Sequence, residues 1–227
     1  MSFRQNWKNF KMVWRFKKYL GFLLNSTNQH GIHSPFVYHL VTKCFYGKTD
    51  RAAVQFLKKE RRRIRVNNPL KKAKLMFRIL NYFSVENALV FAEKPSLSIS
   101  VIEKQELQKC FLFSLSENDK NPEFFTQKPK PLDQFDRQKK EPFPADLVFV
   151  DTSISAETIP KIFENVSPSL TKNSVLIIDG IHKNEAIEKK WGTLKNHPKT
   201  CQSIDLFFWG MLFFRTEQAR EDFKVRV

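Results

Sequence analysis

Residues 146–180, DLVFVDTSISAETIPKIFENVSPSLTKNSVLIIDG, decide the fold. Leu147–Val150 and Val175–Ile178 are short apolar runs of branched and aromatic types, and each is closed by an acid, Asp151 and Asp179. An unbroken apolar run, rather than an alternating one, marks a strand covered on both faces, which is how parallel strands read. Ala156–Leu170 between them reads as a helix, so the unit is strand, helix, strand. Asn87–Phe91 (NALVF) and Phe111–Leu115 (FLFSL) have the same texture upstream. Downstream, Asn184–Asn196 reads as another helix. Ile204–Phe208 and Met211–Phe214 read as two last strands with a tight connection around Trp209-Gly210. Alternation of this kind predicts an α/β sheet with helices on both faces, its strands near residues 87–92, 111–116, 146–151, 174–179, 203–208 and 211–215. Thr126–Pro144 is polar and rich in proline, and is expected to be a surface loop.

The front of the chain is different. Of the 227 residues, the first 83 hold 19 Lys and Arg against two acids, Asp50 and Glu60, so the whole excess behind the +16 net charge lies there. Residues 84–227 are close to neutral. From Trp7 to Leu24 apolar residues recur at spacings of three and four, with Lys8, Lys11, Arg15, Lys17 and Lys18 among them, which predicts an amphipathic helix. Ser34 followed by Pro35 reads as an N-cap and first helical residue, for a helix ending near Gly47. Asp50 is expected to cap a third helix, which ends in the basic run Lys58–Arg65. A fourth follows Pro69 and carries Leu70, Leu75, Met76, Ile79 and Leu80. The division expected is a basic helical module over 1–83 and an α/β domain over 84–227.

Composition excludes several classes. The longest stretch without Asp, Glu, Lys or Arg, residues 19–42, is interrupted by Asn, Ser, Gln, His and Pro35, so a membrane-spanning helix is not expected. The N-terminus has no secretory pattern. Cys44, Cys110 and Cys201 are far apart, without the spacing of a zinc site or disulfide framework, and fit a reducing cytoplasm. His30 and His33 form an HxxH pair, but Gly31 and Pro35 place it in a turn rather than on a helix. None of the six glycines lies between Lys48 and Asp179, which weighs against a glycine loop in mid-chain.

In an open α/β sheet, ligands bind beyond the carboxyl ends of the strands, and acids there suit the hydroxyls of a ribose. The segments HGIHSPFVYHL (30–40), KLMFRILNYF (74–83), DLVFVD (146–151), LIIDGIH (176–182) and IDLFFWGMLFFR (204–215) resemble one bacterial subfamily of the class I, Rossmann-like S-adenosylmethionine-dependent methyltransferases. The resemblance implies a mostly parallel Rossmann-like sheet with a C-terminal antiparallel hairpin at residues 204–214, preceded by an N-terminal helical extension. It implies S-adenosylmethionine as cofactor and leaves the methyl acceptor unnamed. The family's cofactor loop follows the first strand as LELGTSLGIS; here residues 91–100 read FAEKPSLSIS. Ala92 stands at the acid position, and Lys94 and Ser98 stand at the two glycines that let backbone approach the ligand. The resemblance assigns cofactor contacts to Glu93, Ser96, Ser98 and Glu117. It assigns handling of the acceptor to Asp151, Asp179 and His182, with His182 also open to a purely structural reading. In metal-dependent relatives the two aspartates take a divalent cation together with a third ligand, whose place here is Gly180, so no metal ligands are assigned and two carboxylates would hold such an ion only loosely.

Two functions follow as expectations. One is a methyltransferase. The other is a catalytically inactive binding or scaffold protein on the same fold, a pseudoenzyme whose basic N-terminal helices contact an anionic membrane surface or nucleic acid. Solvation alone is a third account of the cations. A cytoplasmic protein, peripheral to a membrane under one of these readings, is expected.

Overall fold

The apolar runs form strands because each is covered twice. The computed structural model describes residues 3–64, 70–114, 130–131 and 144–227, with residues 3–12 described by backbone alone. The strands are β1 (Asn87–Phe91), β2 (Lys109–Ser114), β3 (Lys130–Pro131), β4 (Ala145–Val150), β5 (Leu170–Asp179), β6 (Gln202–Asp205), β7 (Trp209–Phe213) and β8 (Glu221–Lys224). They form one sheet in the order β3-β2-β1-β4-β5-β7-β6-β8. β7 runs antiparallel to both β5 and β6, and the other pairings are parallel.

The helices are α1 (Phe3–Asn25), α2 (Pro35–His39), α3 (Arg51–Arg63), α4 (Leu70–Tyr82), α5 (Leu97–Glu103), α6 (Thr158–Val166) and α7 (Glu185–Lys195). Alternate strand residues point to opposite faces. Ala88, Val90, Leu147, Phe149, Val175, Ile177 and Met211 pack with Leu40, Leu57, Met76 and Ile79 of the N-terminal helices and Ile99 of α5. Leu89, Phe91, Val148, Val150, Leu176 and Ile178 pack with Ile162 and Phe163 of α6 and Trp191 of α7. Helices α2–α5 therefore form one outer layer of a three-layer sandwich.

The caps read from sequence hold. Ser34 Oγ accepts the Val37 N–H, with Pro35 at the first helical position, and Asp50 accepts the Ala53 N–H at 2.7 Å. Several features differ from the expectation. β5 begins at Leu170, within the stretch read as a helix, and β3 falls in the stretch read as a loop. The helix begun at Pro35 changes at Leu40 to a π-helix that runs to Phe45. β8 adds a strand beside β6, and a bridge between Thr27 and Val225 covers that edge further. Trp209 and Gly210 are not in the last turn: both lie inside β7, and the connection is Leu206–Phe208. Gly210 is there for packing, since a Cβ would come within 2.7 Å of the Trp191 ring. Phe207 makes the turn instead, at φ 68°, with its N–H donated to Asp205 Oδ1 at 2.7 Å. Most of Thr126–Pro144 lies outside the described residues. Among the described residues, no helix is long and apolar enough to cross a membrane.

Candidate active site

Register brings the acids to one edge. Phe91 pairs with Phe113 on one side and Val150 on the other, and Val150 pairs with Ile178. The next row therefore contains Ser114, Ala92, Asp151 and Asp179, at the carboxyl ends of β2, β1, β4 and β5. β6 runs parallel to β5, so Asp205 reaches the same edge. The chain crosses from one side of β1 to the other between β2 and β4, and a crevice at such a switch point is the usual binding place in open α/β sheets.

The turn after β1 is held by polar contacts. Glu93 donates its N–H to Ser153 Oγ at 2.9 Å, and its carboxylate accepts from Ser114 Oγ at 3.2 Å. Ser96 caps α5 by accepting the Ile99 N–H. Ser98 is buried in the first turn of α5, whereas Lys94 is exposed. Ala92 is fully buried, so Glu93 is the acid this turn presents. Glu117 lies outside the described residues.

Asp151 and Asp179 are both buried. Burial, then the negative charge of Asp179, push the Asp151 carboxyl above its ordinary range; hydrogen bonding to Ser153 and the charge of Lys72 oppose this. Lys72, reaching in from α4, forms an ion pair with Asp179, and its ammonium sits 5.6 Å from the centre of the Phe208 ring. The sequence reading missed Lys72, because nothing in the run Lys71-Lys72-Ala73-Lys74 says which lysine faces an acid 107 residues away. Gly180 follows Asp179 at φ 72°, a conformation costly for side chains, and a Cβ there would meet Thr152 Oγ1 at 2.7 Å.

His182 is drawn away from the acids of β4 and β5. Its Nε2 lies 2.8 Å from Asp205 Oδ2, its Nδ1 lies 3.4 Å from Glu188 Oε1, and its ring stacks on Phe207 at 5.1 Å. The Nε2 contact with Asp205 ties the corner after β5 to the β6–β7 hairpin, whereas Nδ1 is buried without a hydrogen-bond partner among the described residues. Asp205 was also missed: it precedes the apolar run Leu206–Trp209 where Asp151 and Asp179 close theirs, and only the fold puts it at the end of β6. Among the described residues, no three His, Cys, Asp or Glu side chains come together in a way that could hold a metal ion.

The donor set suits a ribose-bearing ligand, with Glu93 and Ser114 at the ends of neighbouring strands. No protein-family model and no curated protein sequence matches the chain. Solved structures with a similar fold include the O-methyltransferase from Bacillus cereus in complex with S-adenosylhomocysteine: TM-score 0.50, 11% identity, covering 78% of this chain and 96% of that one. Another is the S-adenosylhomocysteine-bound methyltransferase PaMTH1 of Podospora anserina, at TM-score 0.50 and 11% identity, covering 81% and 97%. A Staphylococcus aureus chain provisionally described as a caffeoyl-CoA O-methyltransferase has TM-score 0.52 and 12% identity, covering 71% and 92%. At such identities the likeness is one of architecture: the chain has the Rossmann-like fold of the class I methyltransferases, with its C-terminal antiparallel hairpin.

Proposed function

We propose that the protein is an S-adenosylmethionine-dependent methyltransferase acting on an oxygen acceptor. The observation that carries this reading is the pair Asp151 and Asp179 in one row at the carboxyl edge of β4 and β5, with Glu93 one residue past that row after β1, at the switch point. When bound, the cofactor supplies an electrophilic methyl group. Glu93 and Ser114, with Glu117 by resemblance, are the residues that would hold its ribose, and the α5 turn at Ser96 and Ser98 would lie against it. Burial and neighbouring Asp179 make the Asp151 carboxylate more basic than an ordinary one, and in its ionised form it is suited to take the proton of an acceptor hydroxyl. Lys72 keeps Asp179 neutralised and places a positive charge beside an oxygen that becomes anionic as that proton leaves. His182 acts at one remove, by holding the hairpin corner through Asp205.

Calorimetry of the full chain with S-adenosylmethionine and with S-adenosylhomocysteine tests this. Binding with a dissociation constant in the range of roughly 1 μM to 1 mM supports it. No heat at millimolar ligand sinks it and leaves the second reading, a binding or scaffold protein on a retired methyltransferase fold. The buried side chain of Ser98, where the resemblance has glycine, favours that second reading. Lys94→Gly/Ser98→Gly separates the two. A gain of binding in the double variant alone supports the scaffold; unchanged, already measurable binding supports the enzyme.

A further inference from the structure

α1 docks by one face and leaves an apolar stripe in solvent. Phe22 is buried, and the rings of Tyr19 and Phe22 lie 4.9 and 5.5 Å from that of Phe207. Lys18 pairs with Glu188 at 3.0 Å. On another face Val13 is 53% exposed, Phe16 59%, Leu20 44% and Leu24 86%. Their spacings of three, four and four put all four on one line along the helix. A row of four large apolar side chains facing water is not explained by packing within the chain.

Charge narrows what covers the stripe. α1 carries Arg4, Lys8, Lys11, Arg15, Lys17 and Lys18 and no acid. A second copy of α1 laid on the first would offer these cations no acid to pair with. Nucleic acid would satisfy the charge but offers no apolar medium for Val13, Leu20 and Leu24. An anionic bilayer satisfies both: acyl chains take the apolar stripe, and headgroup phosphates take exposed cations such as Arg15 and Lys17. We propose that α1 lies in the interface of an anionic lipid bilayer, inserted through Val13, Phe16, Leu20 and Leu24. The docking of the opposite face at Phe207 then fixes the α/β sandwich against that surface.

The test is sedimentation of the full chain with phosphatidylcholine vesicles, with and without phosphatidylserine, beside a gel shift on random-sequence RNA. The expected result is association with the anionic vesicles and little with the neutral ones. Phe16→Ser/Leu20→Ser/Leu24→Ser should lose about tenfold or more of that association with no change in net charge. Leu24→Ser alone, at the most exposed position, should lose a measurable part while leaving the circular dichroism and melting curve unchanged. Equal vesicle binding by the native chain and the triple variant overturns the proposal, as does equal binding to neutral vesicles. RNA binding without vesicle binding also overturns it, and so does a dimer that the triple variant converts to monomer while neither form binds vesicles.

Discussion

Glu60 shows how one charged residue can be buried in a basic segment at little cost. It sits on α3, 3% exposed, and its Oε1 accepts from Ser100 Oγ at 2.5 Å and pairs with Arg63, while its Oε2 lies 3.3 Å from Lys104. Burial pushes its carboxyl up, but hydrogen bonds from Arg63 and Ser100 and the charge of Lys104 together outweigh this and bring it below its ordinary value of 4.5. A carboxyl held lower in the folded state than in the unfolded chain stabilises the fold above the unfolded value and loses that contribution as pH falls through the folded one. Glu60→Gln should therefore cost about 1–2 kcal/mol at pH 7, a figure kept small because Arg63 and Lys104 are both partly in water. The deficit should vanish as the pH drops well below 4.5. Urea unfolding midpoints at pH 7 and at acid pH check both; a deficit that persists in acid would show that packing, not charge, is what Glu60 supplies.

The elements differ in how far they could be read from sequence. The apolar runs of β1, β4 and the second half of β5 were legible because both faces of the sheet cover them, and the caps Ser34 and Asp50 because they act on residues three positions away; the first half of β5, polar and exposed at Thr171–Asn173, carried no such mark. β8 was not legible: its residues Glu221–Lys224 lie at the sheet edge and are largely exposed, so no apolar pattern marks them. The last hairpin was misread at its turn, since Gly210 signals a bend locally but answers to the Trp191 ring of α7, which the tertiary fold alone brings near. The acids of the candidate site were legible as strand ends; Lys72 and the partners of His182 were not, because each is a contact between distant elements. The corner after β5 joins these threads. Gly180 takes φ 72° there, and its N–H bonds to the Phe208 carbonyl at 2.7 Å, tying β5 to the hairpin. Gly180→Ala adds both a strained backbone and a Cβ against Thr152, so it should destabilise by about 1–3 kcal/mol. No titrating group is involved, so thermal unfolding should show that loss at every pH, unlike the loss at Glu60.

At the scale of the molecule, the charge boundary near residue 83 and the packing boundary do not coincide. The basic front contributes cations to the surface, yet Val37, Leu40, Val41, Leu57, Ala73, Met76 and Ile79 are fully buried, in one cluster with the sheet residues Val90, Phe149, Ile177 and Met211. Each large side chain of that set is worth about 1.5–3 kcal/mol in burial. A domain's whole stability is about 5–15 kcal/mol. Stripping one face of the sheet thus removes more than the fold has to spare, and it uncovers apolar strands that then aggregate. α1 is different, since Phe22 is its one buried apolar side chain among residues 13–25. Removing residues 1–24 should lower the melting temperature by only a few degrees, roughly the effect of one buried aromatic in a chain of this size. The fragment 84–227, cut where the charge changes, should be insoluble or bind hydrophobic dye without a cooperative melt. A soluble 84–227 fragment with a sharp transition near that of the full chain would show that the sheet stands alone and that the helices of 35–82 only rest upon it.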